Sequence, residues 1–235
     1  MTTRTGGQIL VDQLKIHGAD HVFCVPGESY LAVLDALYDA PGIRTITCRQ
    51  EGNAAMMAEA HGKLTNRPGI CMVTRGPGAT NASAGLHVAM QDATPMILFI
   101  GQVARDQIER EAFQEIDYRR MFGQVTKWTA QIDDAARLPE LIARAFRVAT
   151  SGRPGPVAIA LPEDMLTEMA EVDDALPFAP LESWPGPAQL MQLREMLAAA
   201  RRPMLLLGGA PWDEASVAAM QTFAEANHLP VITTF

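Results

Sequence analysis

Short apolar runs alternate along this chain with stretches of helical periodicity, and that alternation limits the fold more than any single motif does. Residues 21–25, 44–48, 69–74, 95–100 and 156–161 read as strands. Helical spacing holds over 7–17, 30–38, 51–65, 81–91 and 138–150, with Leu31, Leu34 and Leu37 on one face of the second stretch. Strands separated by helices need crossover connections and therefore run parallel. The predicted class is α/β, a doubly wound parallel sheet flanked by helices. The run PMILFI at 95–100 has no polar alternation, as expected of a strand buried on both faces.

The pattern breaks at Pro162. The stretch to Pro187 is rich in Pro, Asp and Glu. It reads as the end of a first domain (1–165) and a linker (166–187). A second α/β, Rossmann-like unit begins at 188, with helices at 188–201 and 214–227 and strands at 203–208 and 230–234. Two strands and two helices do not close a doubly wound sheet, so this second domain (188–235) is expected to be incomplete, as in a truncated chain.

Composition removes several function classes. The 235 residues carry a net charge of −8 and no Lys/Arg block with interleaved aromatics, which argues against nucleic acid as a partner. No apolar run reaches the ~18 residues of a membrane span, and the first residues lack the apolar core of a signal peptide. Cys24, Cys48 and Cys71 stand apart in apolar stretches and read as reduced core thiols, consistent with a cytoplasmic protein. Five histidines (17, 21, 61, 87 and 228) are scattered, with no H-E-x-x-H and no Cys/His cluster, so no metal ligands are assigned. There is no G-x-S-x-G elbow.

Three segments fall at the carboxyl ends of predicted strands: PGES (26–29), RQEGN (49–53) and TRGPGATN (74–81). That edge is where open α/β sheets bind ligands. The third is Gly-rich and opens a helix, so its amides are candidates to face a ligand; alone it reads equally well as a structural turn. Glu51 opens a helix otherwise packed with Ala and Met. An ionised carboxylate there is costly unless something binds it.

The combination is specific. VPG (25–27), RQEGNAAMMAEAHGKLT (49–65), VTRGPGATN (73–81), GLHVAMQDATPMILFIGQV (85–103), FQEID (113–117) and GRPGPVAIALPEDM (152–165) resemble the pyrimidine-binding domain of thiamine-diphosphate enzymes of the acetolactate synthase / pyruvate oxidase group. PMLLLGG (203–209) resembles the start of that group's middle domain. The resemblance implies that Glu51 hydrogen-bonds the aminopyrimidine of thiamine diphosphate, promoting formation of the C2 ylide that attacks a 2-keto acid. It implies a pocket of Pro26, Gly27, Thr74, Pro77, Gly78 and Asn81, with Gln114 reaching the substrate and Phe113 walling its site. It also implies a homodimer or tetramer with sites shared between subunits, and Mg²⁺ ligands in a G-D-G signature that lies outside this chain. FAD is left open by the resemblance.

Two departures stand out. Gly27 is followed by Glu28-Ser29-Tyr30, similar to the G-D-x-N-L segment of the 2-keto-acid decarboxylases, which makes Glu28 a candidate proton carrier. Those decarboxylases carry a His-His pair where this chain has Phe113-Gln114, so decarboxylation and carboligation both remain open. Arg75 replaces a small residue and reads as a surface or interface charge. Three readings follow: the N-terminal portion of such an enzyme, a half-site subunit completed by a separate diphosphate-binding chain, or a non-catalytic module. On any of them the chain alone is expected to be inactive.

Overall fold

Continuous apolar stretches become the middle of a parallel sheet. The structure, a computed structural model, describes residues 3–181, 183–209 and 212–234. The chain divides into two units, 1–181 and 182–235. The first runs β1 Arg4–Thr5, α1 Gly6–Ile16, β2 His21–Cys24, α2 Leu31–Tyr38, β3 Arg44–Thr47, α3 Glu51–Thr65, β4 Gly69–Val73 and α4 Pro77–Gln91. It continues with β5 Met96–Gln102, α5 Tyr118–Phe122, β6 Trp128–Gln131, α6 Leu138–Thr150, β7 Pro156–Pro162, α7 Glu163–Thr167 and β8 Met169–Ala170.

The main sheet has the order β3-β2-β4-β5-β7-β6, every pair parallel. β4, β5 and β7 are buried along their whole length, as strands with neighbours on both sides and helices on both faces must be. One face packs Phe99 and Ile159 against Leu10 and Leu14 of α1, Val33 of α2 and Phe146 of α6. The other packs Leu98 and Cys71 against Ala54 and Ala58 of α3, Leu86 of α4 and Phe122 of α5. The Ala-rich composition of α3 has a packing reason: a Cβ placed on Gly85 of α4 would stand 2.5 Å from that of Ala55. Small residues let the two helices meet closely, and this sets α3 and α4 side by side where the site forms.

α4 begins at Pro77, not at residue 81 as the periodicity suggests. Proline suits a first helical turn, where its missing N–H is no loss. The first half of the expected linker is not free. β8 pairs antiparallel with β1. Arg4 donates to the carbonyl of Val172 at 3.0 Å and ion-pairs Asp174 at 2.9 Å. Gln13 on α1 and His17 just past its end are buried, and their side-chain partners among the described residues lie here. Gln13 donates to Asp174 (2.7 Å) and accepts from the Ala175 amide (3.2 Å), and His17 Nδ1 accepts from the Phe178 amide (3.2 Å). Buried polar groups need such partners, so residues 169–178 form a strap on the first unit.

The second unit holds α8 Pro187–Ala199, β9 Leu205–Leu207, α9 Glu214–Ala226 and β10 Val231–Thr233. β10 pairs parallel with β9, Val231 opposite Leu205.

Candidate active site

β3 and β4 lie on opposite sides of β2, so the turns leaving β2 and β4 diverge and open a crevice at the carboxyl edge of the sheet. Pro26 and Gly27 follow β2, Glu51 follows β3 as the first residue of α3, and Thr74 to Gly76 follow β4. α4 brings Pro77, Gly78 and, one turn on, Asn81. Of the pocket residues named from the sequence, the fold sets Asn81 and Gly78 against Glu51, and Thr74 against Gly78 and Gly27.

Gln50 caps α3 through a bond from the Asn53 amide to its side chain (3.0 Å). Glu51 stands in the first turn, where the helix dipole favours negative charge. Asn81 Nδ2 donates to Glu51 Oε2 at 2.9 Å. The other oxygen, Oε1, faces Gly78, where a Cβ would lie 3.5 Å from it and 2.9 Å from Thr74 Cγ2. A Cβ on Gly27 would lie 2.5 Å from that of Thr74. Both glycines are therefore close-approach positions packed on Thr74, and Gly78 also lies beside one carboxylate oxygen of Glu51.

The turn after β4 is held from behind. Ser29, fully buried, shares a hydrogen bond with the Thr74 hydroxyl at 2.7 Å, and the Arg75 amide donates to the Ser29 hydroxyl at 3.4 Å. The Gly76 amide donates to the Tyr118 hydroxyl at 2.9 Å. Burial pushes the Tyr118 phenol up to about 12, so it stays protonated at neutral pH. These bonds occupy the amides of Arg75 and Gly76, two of those that the segment 74–81 offers. Tyr30, also buried and with its pKa raised by burial, donates to the Val25 carbonyl.

Gly76 has φ 61° and ψ −116°, a conformation glycine alone adopts at little cost. A Cβ there would stand 2.7 Å from that of Gln114. Gln114 itself has φ 67°, so the 113–114 turn lies directly on the start of α4. Phe113 is 80% exposed and belongs to no core. Glu28 is exposed on the single turn 28–30, and its side chain forms no hydrogen bond among the described residues. Pro26 and Pro77 are also exposed.

Arg75 departs from its expected place. Its side chain is only 15% exposed, ion-paired to Glu163 at 2.8 Å and donating to the Phe113 carbonyl at 3.3 Å. It clamps the 113–114 turn to the start of α7. Ser29, Tyr118 and Glu163 were not singled out from the sequence. The segments PGES and FQEID, which contain or adjoin Ser29 and Tyr118, were legible, but the two hydroxyls act on a turn far away in the chain. Cys24 and Cys71 are buried free thiols as expected, whereas Cys48 is half-exposed. In the second unit, an open cleft of about 800 Å³ between β9, β10 and α9 is lined mainly by apolar residues such as Leu207, Val217 and Leu229. None of the named site residues lines it.

No described helix is long and apolar enough to cross a membrane. Residues 4–121 match the family described as thiamine pyrophosphate enzyme, N-terminal TPP binding domain. The chain is 37% identical over 229 residues to the acetolactate synthase isozyme 2 large subunit of Escherichia coli K12, covering 97% of this chain and 42% of that protein. Over 234 residues it is 35% identical to the acetolactate synthase large subunit of Lactococcus lactis (98% and 41%). Over 248 residues it is 35% identical to the mitochondrial acetolactate synthase of Schizosaccharomyces pombe (98% and 36%). It spans about two fifths of the length of these relatives. With the family match over 4–121 and acetolactate synthases similar to nearly all of it, the chain belongs to the thiamine pyrophosphate enzymes, in their acetolactate synthase group.

Proposed function

We propose that this chain supplies the pyrimidine-binding half of a thiamine-diphosphate site in an enzyme that decarboxylates or joins 2-keto acids in the manner of an acetolactate synthase. The observation that carries the reading is the Glu51 carboxylate. Asn81 holds Oε2, and Oε1, beside Gly78, accepts no hydrogen bond among the described residues. An acceptor left open in this way suits a ring nitrogen of a flat heterocycle, with Thr74 and Gly27 packed close by.

When bound, thiamine diphosphate supplies a carbon nucleophile and an electron sink that no side chain offers. Glu51 then holds or shares the proton at the ring nitrogen facing Oε1, Asn81 fixes the carboxylate plane, and Pro26 and Pro77 flank the entrance. Gln114, set by Gly76 and tied through Phe113 to Arg75, faces the reacting end. Glu28, exposed on its turn, carries protons after decarboxylation; this is the feature that favours a simple decarboxylase as the second reading.

Residues 1–165 act as the pyrimidine domain and 188–235 as the beginning of a middle domain. Mg²⁺ and FAD enter only through the resemblance. Among the described residues no cluster of potential metal ligands lies at the Glu51 edge. The diphosphate half is expected from another domain, across a homodimer or tetramer interface. Leu31, Met57 and Phe113, 59%, 40% and 80% exposed on the elements that carry the site, suit burial in such an interface. Activity in this chain alone is not expected, and the reduced thiols suit the cytoplasm.

The test is exchange of the cofactor's C2 proton in the protein that carries the complete site. Glu51→Gln keeps the shape and removes the acid, and is expected to slow exchange by about 10²–10⁴-fold. Near-normal exchange in a folded variant overturns the reading.

A further inference from the structure

We propose that Asp20, His21 and His61 bind one divalent transition-metal ion of the zinc type at the amino-terminal edge of the sheet. The sequence separates these residues by forty positions; the fold joins them. Asp20 and His21 lead into β2, and His61 lies late in α3, which runs back along the sheet from Glu51. His21 Nδ1 stands 2.8 Å from Asp20 Oδ1, and His61 Nε2 stands 3.2 Å from the same oxygen. The three donor atoms all lie within 4.8 Å of one another. Tetrahedral ligands of zinc, each about 2.0–2.1 Å from the ion, are about 3.3 Å apart. Small side-chain rotations therefore suffice to place all three on one ion, with water completing the shell.

The two imidazoles are held before any ion arrives. Their centroids are 5.2 Å apart, and both pack on the buried Phe23 ring, His21 stacked at 6.2 Å and His61 edge-on at 5.9 Å. His61 Nδ1 is shut from solvent with no hydrogen-bond partner among the described residues, so Nε2 is the one edge it offers. Asp20, 52% exposed, keeps the site open to solvent and brings the negative charge. Two nitrogens and one carboxylate oxygen select a borderline ion such as Zn²⁺ over Mg²⁺ or Ca²⁺, which prefer oxygen alone. An ion here clips the end of α3 to the start of β2. The inference does not depend on the thiamine reading, since His61 lies ten residues along α3 from Glu51, about 15 Å at the helical rise.

The experiment is calorimetric titration of zinc chloride into chelator-treated protein. One ion per chain is expected, with affinity lowered by about tenfold or more in His21→Gln and in His61→Gln, and unchanged in His87→Gln. Asp20→Asn, at a half-exposed position, retains the hydrogen-bonding shape; it guards against a variant that fails through misfolding and is also expected to bind weakly. In the unaltered protein, zinc at a hundredfold excess over its dissociation constant is expected to raise the melting midpoint by about 5–10 °C. No binding at about 100 μM zinc overturns the proposal. So does binding that survives all three substitutions but disappears in Cys48→Ser.

Discussion

β4 and β9 are both short parallel strands of apolar residues, GICMV and LLL, and they end in opposite surroundings. Every residue of β4 is buried, between β2 and β5 and beneath helices on both faces. β9 has β10 as its single strand neighbour among the described residues; Leu206 is 62% exposed, and Ile232 of β10 46%. Hydropathy is similar in the two, so burial is decided by how many elements close over a strand and not by the strand itself. The first unit draws its stability from closure of the main sheet. In the second unit fewer elements close over the strands among the described residues.

The comparison breaks most directly at Phe99, on β5, 1% exposed in the centre of the first unit. Phe99→Ala is expected to cost about 3–5 kcal/mol, read as a lowered denaturant midpoint for the first unit. A cost below about 1 kcal/mol would mean that the sheet is not the stabilising body.

A smaller effect is expected at the strap. Burial holds the His17 imidazole below its ordinary pKa of 6.5. Unfolded chains take up that proton near pH 6.5 while the folded protein resists it. The stabilisation is therefore full above 6.5 and is lost as pH falls from there through the lower folded value. A protonated Nδ1 also no longer accepts the Phe178 amide. Hydrogen exchange at pH 5 is expected to show Phe178 losing protection before β5 does. Equal protection of the two at pH 5 and pH 7, after correction for intrinsic rates, would show that His17 does not fasten the strap.

The smallest effect is expected at Leu206→Ala, within about 0.5 kcal/mol, because so exposed a side chain has little burial to lose. A cost above about 2 kcal/mol in the denaturation of the second unit would show that something covers β9 in solution, and the contrast between the units would need redrawing.

The sequence displayed the central strands because burial on both faces leaves a continuous apolar run, as in β5. It hid β6, Trp128–Gln131, an edge strand whose Thr129 and Gln131 break the run. It hid α5, five residues long and started by Asp117, whose carboxylate accepts from the amides of Arg119 and Arg120. The strap was read as a linker because its Asp and Pro content is that of a loop; its order comes from Arg4, Gln13 and His17, more than 150 residues earlier. At the candidate site, Glu51, Gly78 and Asn81 were legible because they sit in motifs. Arg75 was misplaced because its partner, Glu163, is remote in the chain. Asp20, His21 and His61 were invisible as a group for the same reason.

The hydrogen bond from Asn81 to one oxygen of Glu51 has a stereochemical consequence. A free carboxylate offers two equivalent acceptors, and a ring can approach either. With Oε2 occupied by Asn81 and Oε1 left facing Gly78, the symmetry is gone. A donor meeting this carboxylate edge-on finds one acceptor and not two, so the direction from which it must come is set by a single amide.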